Sequence, residues 1–322
     1  MKVGTDIKYA ASLIKKGKIV AMPTETVYGL AANALNAMAV ARIFEMKERP
    51  TFDPLIVHIS SIEQLETLFR KPISPYVYTL AEAFWPGPLT IVSTKTPEVP
   101  DLVTSGLSTV GVRMPSHPVA HQLIKQSEVP LAAPSANKFG RISPTMVSHV
   151  LKQNFKAEYI LDGGISDYGI ESTVVSVQEN GIKILRQGAI TEDDLVKYVE
   201  VLSSTDENEE VEKHAPGMLK SHYSPHKPLY IYNNENYNSF LPGTGFIIKE
   251  NKDIGLPPGI KTIALSENGN MAEMAVKLFS AMHTMEDDEN IKQIYIEAVP
   301  EEGIGKAIMD RVKKAAYNYM KS

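Results

Sequence analysis

The feature that most constrains this chain is an interruption. Short apolar runs alternate with helical stretches up to about residue 202, the pattern stops between 203 and 228, and a similar alternation resumes afterwards. Alternation of this kind calls for mixed α/β layers, and its break divides the chain into two folding units. At 322 residues the chain also exceeds the size at which one hydrophobic core usually stops growing.

In the first unit, residues 18–22, 55–59, 89–93, 110–114, 131–133, 159–161, 173–177 and 182–185 read as strands. Asn36 suits the N-cap of a helix over 37–48, and further helices are expected at 61–69, 117–126 and 145–152. Thr191 is expected to cap a helix running to 202, with Asp194 at the capping-box position. The prediction is an α/β fold with one twisted sheet over residues 1–202. In the second unit, strands at 229–232, 246–249, 262–265 and 294–298 with helices at 272–285 and 306–320 predict a smaller Rossmann-like domain over 229–322. The segment between, 203–228, opens with an acidic run suited to a flexible linker. It continues into His214-Ala215-Pro216-Gly217 and Ser221-His222-Tyr223-Ser224-Pro225, too rich in His, Tyr and Pro for a mere spacer.

The chain has no cysteine, which excludes disulfides, thiolate nucleophiles and cysteine-held zinc. No apolar run approaches the roughly 18 residues of a membrane span, and residues 1–11 lack the apolar core of a secretory signal. A cytoplasmic location with no membrane partner is expected. Residues 1–200 carry 20 Lys+Arg against 20 Asp+Glu, so any nucleic-acid affinity would require a local basic patch. Gly255-Leu256-Pro257-Pro258-Gly259-Ile260-Lys261-Thr262 has the wrong spacing for a phosphate-binding loop and leads into an apolar run. Gly303-Ile304-Gly305 opens the last helix, where it could touch phosphate, and reads better as a glycine-rich helix entry built for close packing.

The chemistry-bearing residues form short polar clusters at strand ends. Pro23-Thr24-Glu25-Thr26-Val27-Tyr28-Gly29 offers hydroxyls for a polar ligand, or a threonine-rich turn. Lys47 and Arg49 complement a helix C-terminus or serve a ligand. His58 lies among apolar neighbours, as a core histidine or a ligand contact. Arg113 sits in an apolar strand and needs a partner, either a substrate carboxylate or a structural Asp or Glu. Ser135, Asn137 and Ser143 lie near strand and helix ends; Ser143 before Pro144 also fits a plain N-cap with proline at N1. Ser172 and Arg186 each border an apolar strand.

The strings PTETVYGLA, KERPTFDPLIVHI, WPGPLT, VGVRMPSHP, PSANKFGRISPT and ESTVV occur in this order, followed by APGMLKSHYSP and EEGIGKAIMDRVKKAA. Together they resemble the YrdC family of threonylcarbamoyl-AMP synthases in its long, two-domain form. The resemblance implies an open twisted sheet around a cationic cavity, with a linker and a Rossmann-like second domain. It implies synthesis of threonylcarbamoyl-AMP from L-threonine, bicarbonate or CO2 and ATP, with Mg2+ carried on the phosphates. A transferase complex would then move the threonylcarbamoyl group to tRNA. By motif position, Thr26, His58, Arg113 and Ser172 would hold threonine. Lys47, Arg49, Asp53, Thr109, Ala133, Ser135, Asn137, Ser143 and Arg186 would hold ATP. Tyr223, with His222 as a second candidate, would close over the nucleotide. The family usually has Asn before Pro54; Asp53 here is tolerable only if it faces Mg2+ or a cation such as Arg49.

The residues suit that chemistry. Every participant is anionic, so the work is charge neutralisation and alignment. An arginine fork matches the threonine carboxylate, and Lys47, Arg49 and Arg186 match a triphosphate. No covalent intermediate is expected. Two other readings stand beside this one: an RNA-binding module, and a carbamoyltransferase like the YrdC-type domain of hydrogenase maturation proteins.

Overall fold

The computed structural model describes residues 1–203, 221–232, 240, 242–257 and 259–319. The acidic run and the His214 cluster therefore lie outside the described residues, as does the end of the helix expected to reach 320.

Ten strands form the first sheet: β1 (Lys2–Gly4), β2 (Val20–Met22), β3 (Gly29–Asn33), β4 (Ile56–His58), β5 (Leu89–Thr94), β6 (Thr109–Arg113), β7 (Leu131–Ala132), β8 (Tyr159–Leu161), β9 (Thr173–Gln178) and β10 (Gly181–Arg186). Their order is β1-β8-β2-β3-β7-β4-β6-β5-β9-β10, with parallel and antiparallel neighbours mixed. Strand alternation sends the residues of β2 to opposite faces. Val20 and Met22 join a core formed with α1 (Ile7–Lys15) and α6 (Pro118–Ser127). Ala21 joins the larger core under α2 (Ala37–Lys47), α3 (Ile62–Leu68) and α4 (Pro75–Phe84).

The Asn36 cap forms as expected, accepting from the amides of Met38 and Ala39. At the other end of α2, Glu48 turns left-handed at φ 54° and the Arg49 amide returns to the Phe44 carbonyl, a Schellman closure. The Thr191–Asp194 capping box also forms, but the helix it starts, α8 (Glu192–Leu195), ends far short of 202. The reason is competition for backbone groups. Ile182 donates to the Glu200 carbonyl and accepts from the Leu202 amide, which ties residues 200–202 to the β10 edge instead of a helix. The remaining short helices are α5 (Asp101–Thr104) and α7 (Val147–Leu151). The latter is capped by Met146, so Ser143 is not the N-cap that its place before Pro144 suggested.

The second sheet, β11 (Leu229–Tyr232), β12 (Thr244–Glu250), β13 (Lys261–Ser266) and β14 (Gln293–Glu297), is wholly parallel in the order β11-β14-β12-β13. Helices α9 (Met271–Asp287) and α10 (Ile304–Ala316) share one apolar core with this sheet. At the entry to α10, a Cβ on Gly305 would lie 2.0 Å from the Pro300 carbonyl, which bears out the close-packing reading for that glycine; Gly303 has open space around it and is suited to its place by a positive φ of 49° instead.

The two domains share a buried seam. Gly169 (φ 68°) rests on the backbone of α9, where a Cβ would lie 2.4 Å from the Val276 carbonyl. His149 on α7 stacks on His283 of α9 at 3.9 Å between ring centroids. The segment at 221–225 lies in the same seam: Ser224 donates its amide to the Gly140 carbonyl (2.8 Å) and its hydroxyl to the Ala315 carbonyl (3.2 Å).

Candidate active site

Strand register builds the centre of the site. In the parallel β4/β6 pair His58 lies opposite Arg113, which makes neighbours of two residues 55 positions apart. Arg113 is buried at the end of β6, donating from Nη1 to Thr26 Oγ1 (2.9 Å) and from Nε to the Gly87 carbonyl (3.2 Å). Its Nη2 stands 2.6 Å from Glu25 Oε1, so the structural partner left open by the sequence is Glu25. Burial pushes the Glu25 carboxyl up, but Arg113 and the hydrogen bonds around it outweigh burial and hold the group below its ordinary value. Five guanidinium donors against three neighbours leave capacity for a ligand carboxylate. Burial first, and then the charge of Arg113, depress His58 to about 3, so its ring is neutral.

Within the Pro23–Leu30 motif the two threonines divide the work. Thr24 Oγ1 accepts from the amides of Thr26 and Val27 and donates to the Val27 carbonyl, which makes it the turn. Thr26 presents its hydroxyl to Arg113. Gly29 allows a close approach here: a Cβ would stand 3.2 Å from that of Ala133, and one of the two would have to shift by a few tenths of an ångström.

A second cationic group stands beside the first. A register shift in β10 just before Arg186 marks a bulge, and bulges re-aim side chains. From there Arg186 donates from Nε and Nη2 to the Ser172 carbonyl (3.0 and 2.9 Å) and from Nη2 to the Ser172 hydroxyl (3.1 Å). That hydroxyl also meets Thr90 Oγ1 at 2.8 Å. Arg49 donates to the carbonyls of Asp53 and Pro54 and pairs with the Asp53 carboxylate at 2.9 Å. Asp53 thus faces the cation that its presence before Pro54 demands; burial nevertheless pushes its carboxyl up. Tyr223, in a left-handed backbone at φ 62°, borders the site with His222.

These groups line one hollow of about 570 Å³, part of it open to solvent. Ten of the residues singled out from the sequence border it: Thr26, Arg49, His58, Arg113, Ala133, Ser135, Ser172, Arg186, His222 and Tyr223. Lys47, Asp53, Thr109, Asn137 and Ser143 do not. Lys47 is buried with its amine turned onto the carbonyls of Ser135 and Asn137, so it shapes the loop that carries Ser135. Asn137 holds the same loop through the carbonyls of Lys138 and Arg141. The Ser143 hydroxyl donates to Glu171 at 2.6 Å. Thr109 opens β6, two pleats before Arg113.

Ten buried side-chain atoms lack a hydrogen-bond partner among the described residues, and four belong to residues that line the hollow: His58, Arg113 (its Nη2 held only in the ion pair with Glu25), His222 and Tyr223. Buried polar atoms are nearly always satisfied, so such a cluster marks where a polar ligand belongs. The sequence reading missed Glu25, Glu171 and Arg311. Glu25 stood inside a quoted motif, and its signal was the unpartnered Arg113. Glu171 opens the ESTVV string and Arg311 lies in EEGIGKAIMDRVKKAA, but nothing local in either shows that the two meet.

A hollow lined by three arginines and bordered by His222 and Tyr223 suits an anionic small molecule, and it lies in a two-domain α/β protein. The chain belongs to the Sua5/YciO/YrdC family, whose model, described as "Telomere recombination", matches residues 12–188. A second model, "Threonylcarbamoyl-AMP synthase, C-terminal domain", matches residues 190–317. The threonylcarbamoyl-AMP synthase of Pyrococcus abyssi is 41% identical over 96% of this chain and 94% of its own. That of Bacillus subtilis is 38% identical over 96% and 92%. The crystal structure of P. abyssi Sua5 complexed with L-threonine superposes with a TM-score of 0.86 at 38% identity, covering 98% of this chain and 97% of that one.

Proposed function

We propose that this chain is a threonylcarbamoyl-AMP synthase, a nucleotidyltransferase that joins L-threonine, CO2 or bicarbonate and ATP. The observation that carries the reading is the meeting of Arg113, Thr26 and His58 with Arg49, Arg186 and Tyr223 in one hollow. In this reading residues 1–202 are the catalytic domain, 203–228 the linker and lid, and 229–322 the smaller domain.

Arg113 receives the threonine carboxylate, with Thr26, neutral His58 and Ser172 around the amino acid. The threonine nitrogen bonds to the carbon of CO2 and loses a proton, which gives a carbamate. A carbamate oxygen then attacks the α-phosphorus of ATP, the bond from that phosphorus to the α,β-bridging oxygen breaks, and pyrophosphate leaves. Mg2+ enters as part of the nucleotide substrate, shared by phosphates and water. Arg49 and Arg186 neutralise the phosphates, with Ser135 and the Ala133 backbone beside them and Tyr223 over the nucleotide. Lys47 and Asn137 act by holding the Ser135 loop. Asp53 tempers Arg49, while Ser143 reaches the nucleotide end through Glu171. Thr109 takes its part at the same end from the start of β6. The carboxylates paired with Arg113 and Arg49 offset part of the cationic charge that faces the threonine carboxylate and the triphosphate. The product passes in the cytoplasm to a transferase complex acting on tRNA.

The test is pyrophosphate release by the full chain. It should require threonine, bicarbonate and MgATP together, and serine should replace threonine poorly. Release independent of threonine, or none with all three present, would sink the reading. Salt-sensitive RNA binding without turnover would favour an RNA-binding module instead.

A further inference from the structure

Arg311, on α10 of the second domain, is fully buried at 0% exposure. Its guanidinium reaches across the seam to two chain segments of the first domain. Nε lies 3.2 Å from Glu171 Oε2, Nη2 donates to the Glu171 carbonyl (3.4 Å), and Nη1 donates to the Gln187 carbonyl (2.6 Å) and to Asp310 Oδ2 (3.0 Å) on its own helix. Glu171 immediately precedes Ser172, and Gln187 immediately follows Arg186. One planar cation therefore grips both strands at the positions flanking the Ser172–Arg186 contact. Through the other oxygen of Glu171 it also reaches the Ser143 hydroxyl. Its Cζ stands 5.7 Å from the centre of the Tyr223 ring.

Cohesion between domains does not require such a charge. A buried ion pair is often no more stabilising than apolar groups of the same shape, and the seam already has apolar contacts around Tyr223 and Phe279. The fork geometry of arginine, which fixes several acceptors in one plane, is what this position uses. We propose that Arg311 is the positioning residue by which the second domain sets the nucleotide end of the hollow. The inference rests on the assignment of Arg186, Ser143 and Tyr223 to the nucleotide given above. It makes the second domain part of the binding geometry rather than an appended module.

Arg311→Met alone strands Glu171 as a buried unpaired carboxylate and can fail to fold. The informative variant is therefore Arg311→Met with Glu171→Gln, which removes both charges of the pair across the seam and leaves Asp310 its ion pair with Lys314. Calorimetry on the full-length protein would measure Kd for L-threonine alone and for a non-hydrolysable ATP analogue alone, beside a melting curve. The double variant should melt within a few degrees of the unsubstituted protein and keep its threonine Kd within about twofold. Its nucleotide Kd should rise about tenfold, the size of one lost charge-assisted contact. Glu171→Gln alone keeps an acceptor for the Ser143 hydroxyl, and its nucleotide Kd is the reference against which the further loss on removing Arg311 is read. Arg311→Lys, which restores charge without the fork, should recover only part of the loss.

Equal weakening of both ligands, or unchanged nucleotide binding, would overturn the proposal. The functional reading fails separately, if the unsubstituted protein releases no threonine-dependent pyrophosphate. If that turnover is normal and the double variant binds nucleotide normally, only the role of Arg311 falls.

Discussion

Acidification should loosen the seam between the domains, and the stacked imidazoles of His149 and His283 set the size of the effect. Both rings are buried, at 4% and 3% exposure. Burial first, and then the charge its neighbour would carry, depress His149 from 6.5 to about 3. Burial depresses His283 from 6.5 to about 4, while its bond to the Ser143 carbonyl and the nearby Asp287 act the other way. Both rings are thus neutral when folded and protonated below about pH 6.5 when unfolded. The unfolded chain binds more protons in that window, so stability is full above pH 6.5 and is lost as pH falls toward 4 and 3. pH 5 lies about 1.5 units below the ordinary histidine value and still above both folded values, so keeping each ring neutral costs roughly 2 kcal/mol, or about 4 kcal/mol for the pair. That is a large share of the ~5–15 kcal/mol by which proteins are stable. Urea denaturation at pH 7.5 and pH 5.0, followed by circular dichroism, would compare the protein with a His149→Phe, His283→Phe double variant. Phenylalanine keeps a ring at each place and removes the titration. The variant also gives up the Thr145 amide and Ser143 carbonyl contacts, so the difference between pH values is the quantity to compare. The unsubstituted protein should lose about 4 kcal/mol more than the variant. Equal losses would show that the pair does not titrate in the seam as argued.

Three further outcomes are expected. Arg113→Ala should abolish threonine binding and cost ~3–5 kcal/mol by stranding Glu25; adding Glu25→Gln should restore the melting temperature but not the binding, and recovery of both would refute the role of Arg113. Gly169→Ala should lower stability by at least ~1 kcal/mol, because its φ of 68° and the α9 backbone both reject a Cβ; an unchanged melt would contradict the close approach. Tyr223→Phe should leave stability within about 1 kcal/mol, since that hydroxyl has no partner among the described residues, yet weaken nucleotide binding several-fold. Unchanged affinity in calorimetry would remove the hydroxyl from the site.

Local signals in the sequence were reliable where short-range physics decides the outcome. The Asn36 cap and the Thr191–Asp194 box both form. Two helices were overlooked although their signals were present: Asp6 caps α1, and Ser74 with Pro75 at N1 opens α4. β3 was not legible, because Gly29-Leu30-Ala31-Ala32-Asn33 has little strand propensity and is extended only because β2 and β7 flank it. The site divides in the same way. Arg113 in an apolar strand announced that a partner existed, but not that Glu25 supplies it. Arg311 pairs with Glu171 across 140 positions, and such a contact has no local trace.

That separation also governs when the chamber can be complete. A ribosome delivers the N-terminal sheet first, and Arg311 follows Arg186 by 125 positions. At ~5–20 residues per second the nascent first domain waits about 6 to 25 s for its closing cation. Throughout that interval Glu171 is a carboxylate without its guanidinium, so the growing chain holds an unfinished vessel until translation reaches α10.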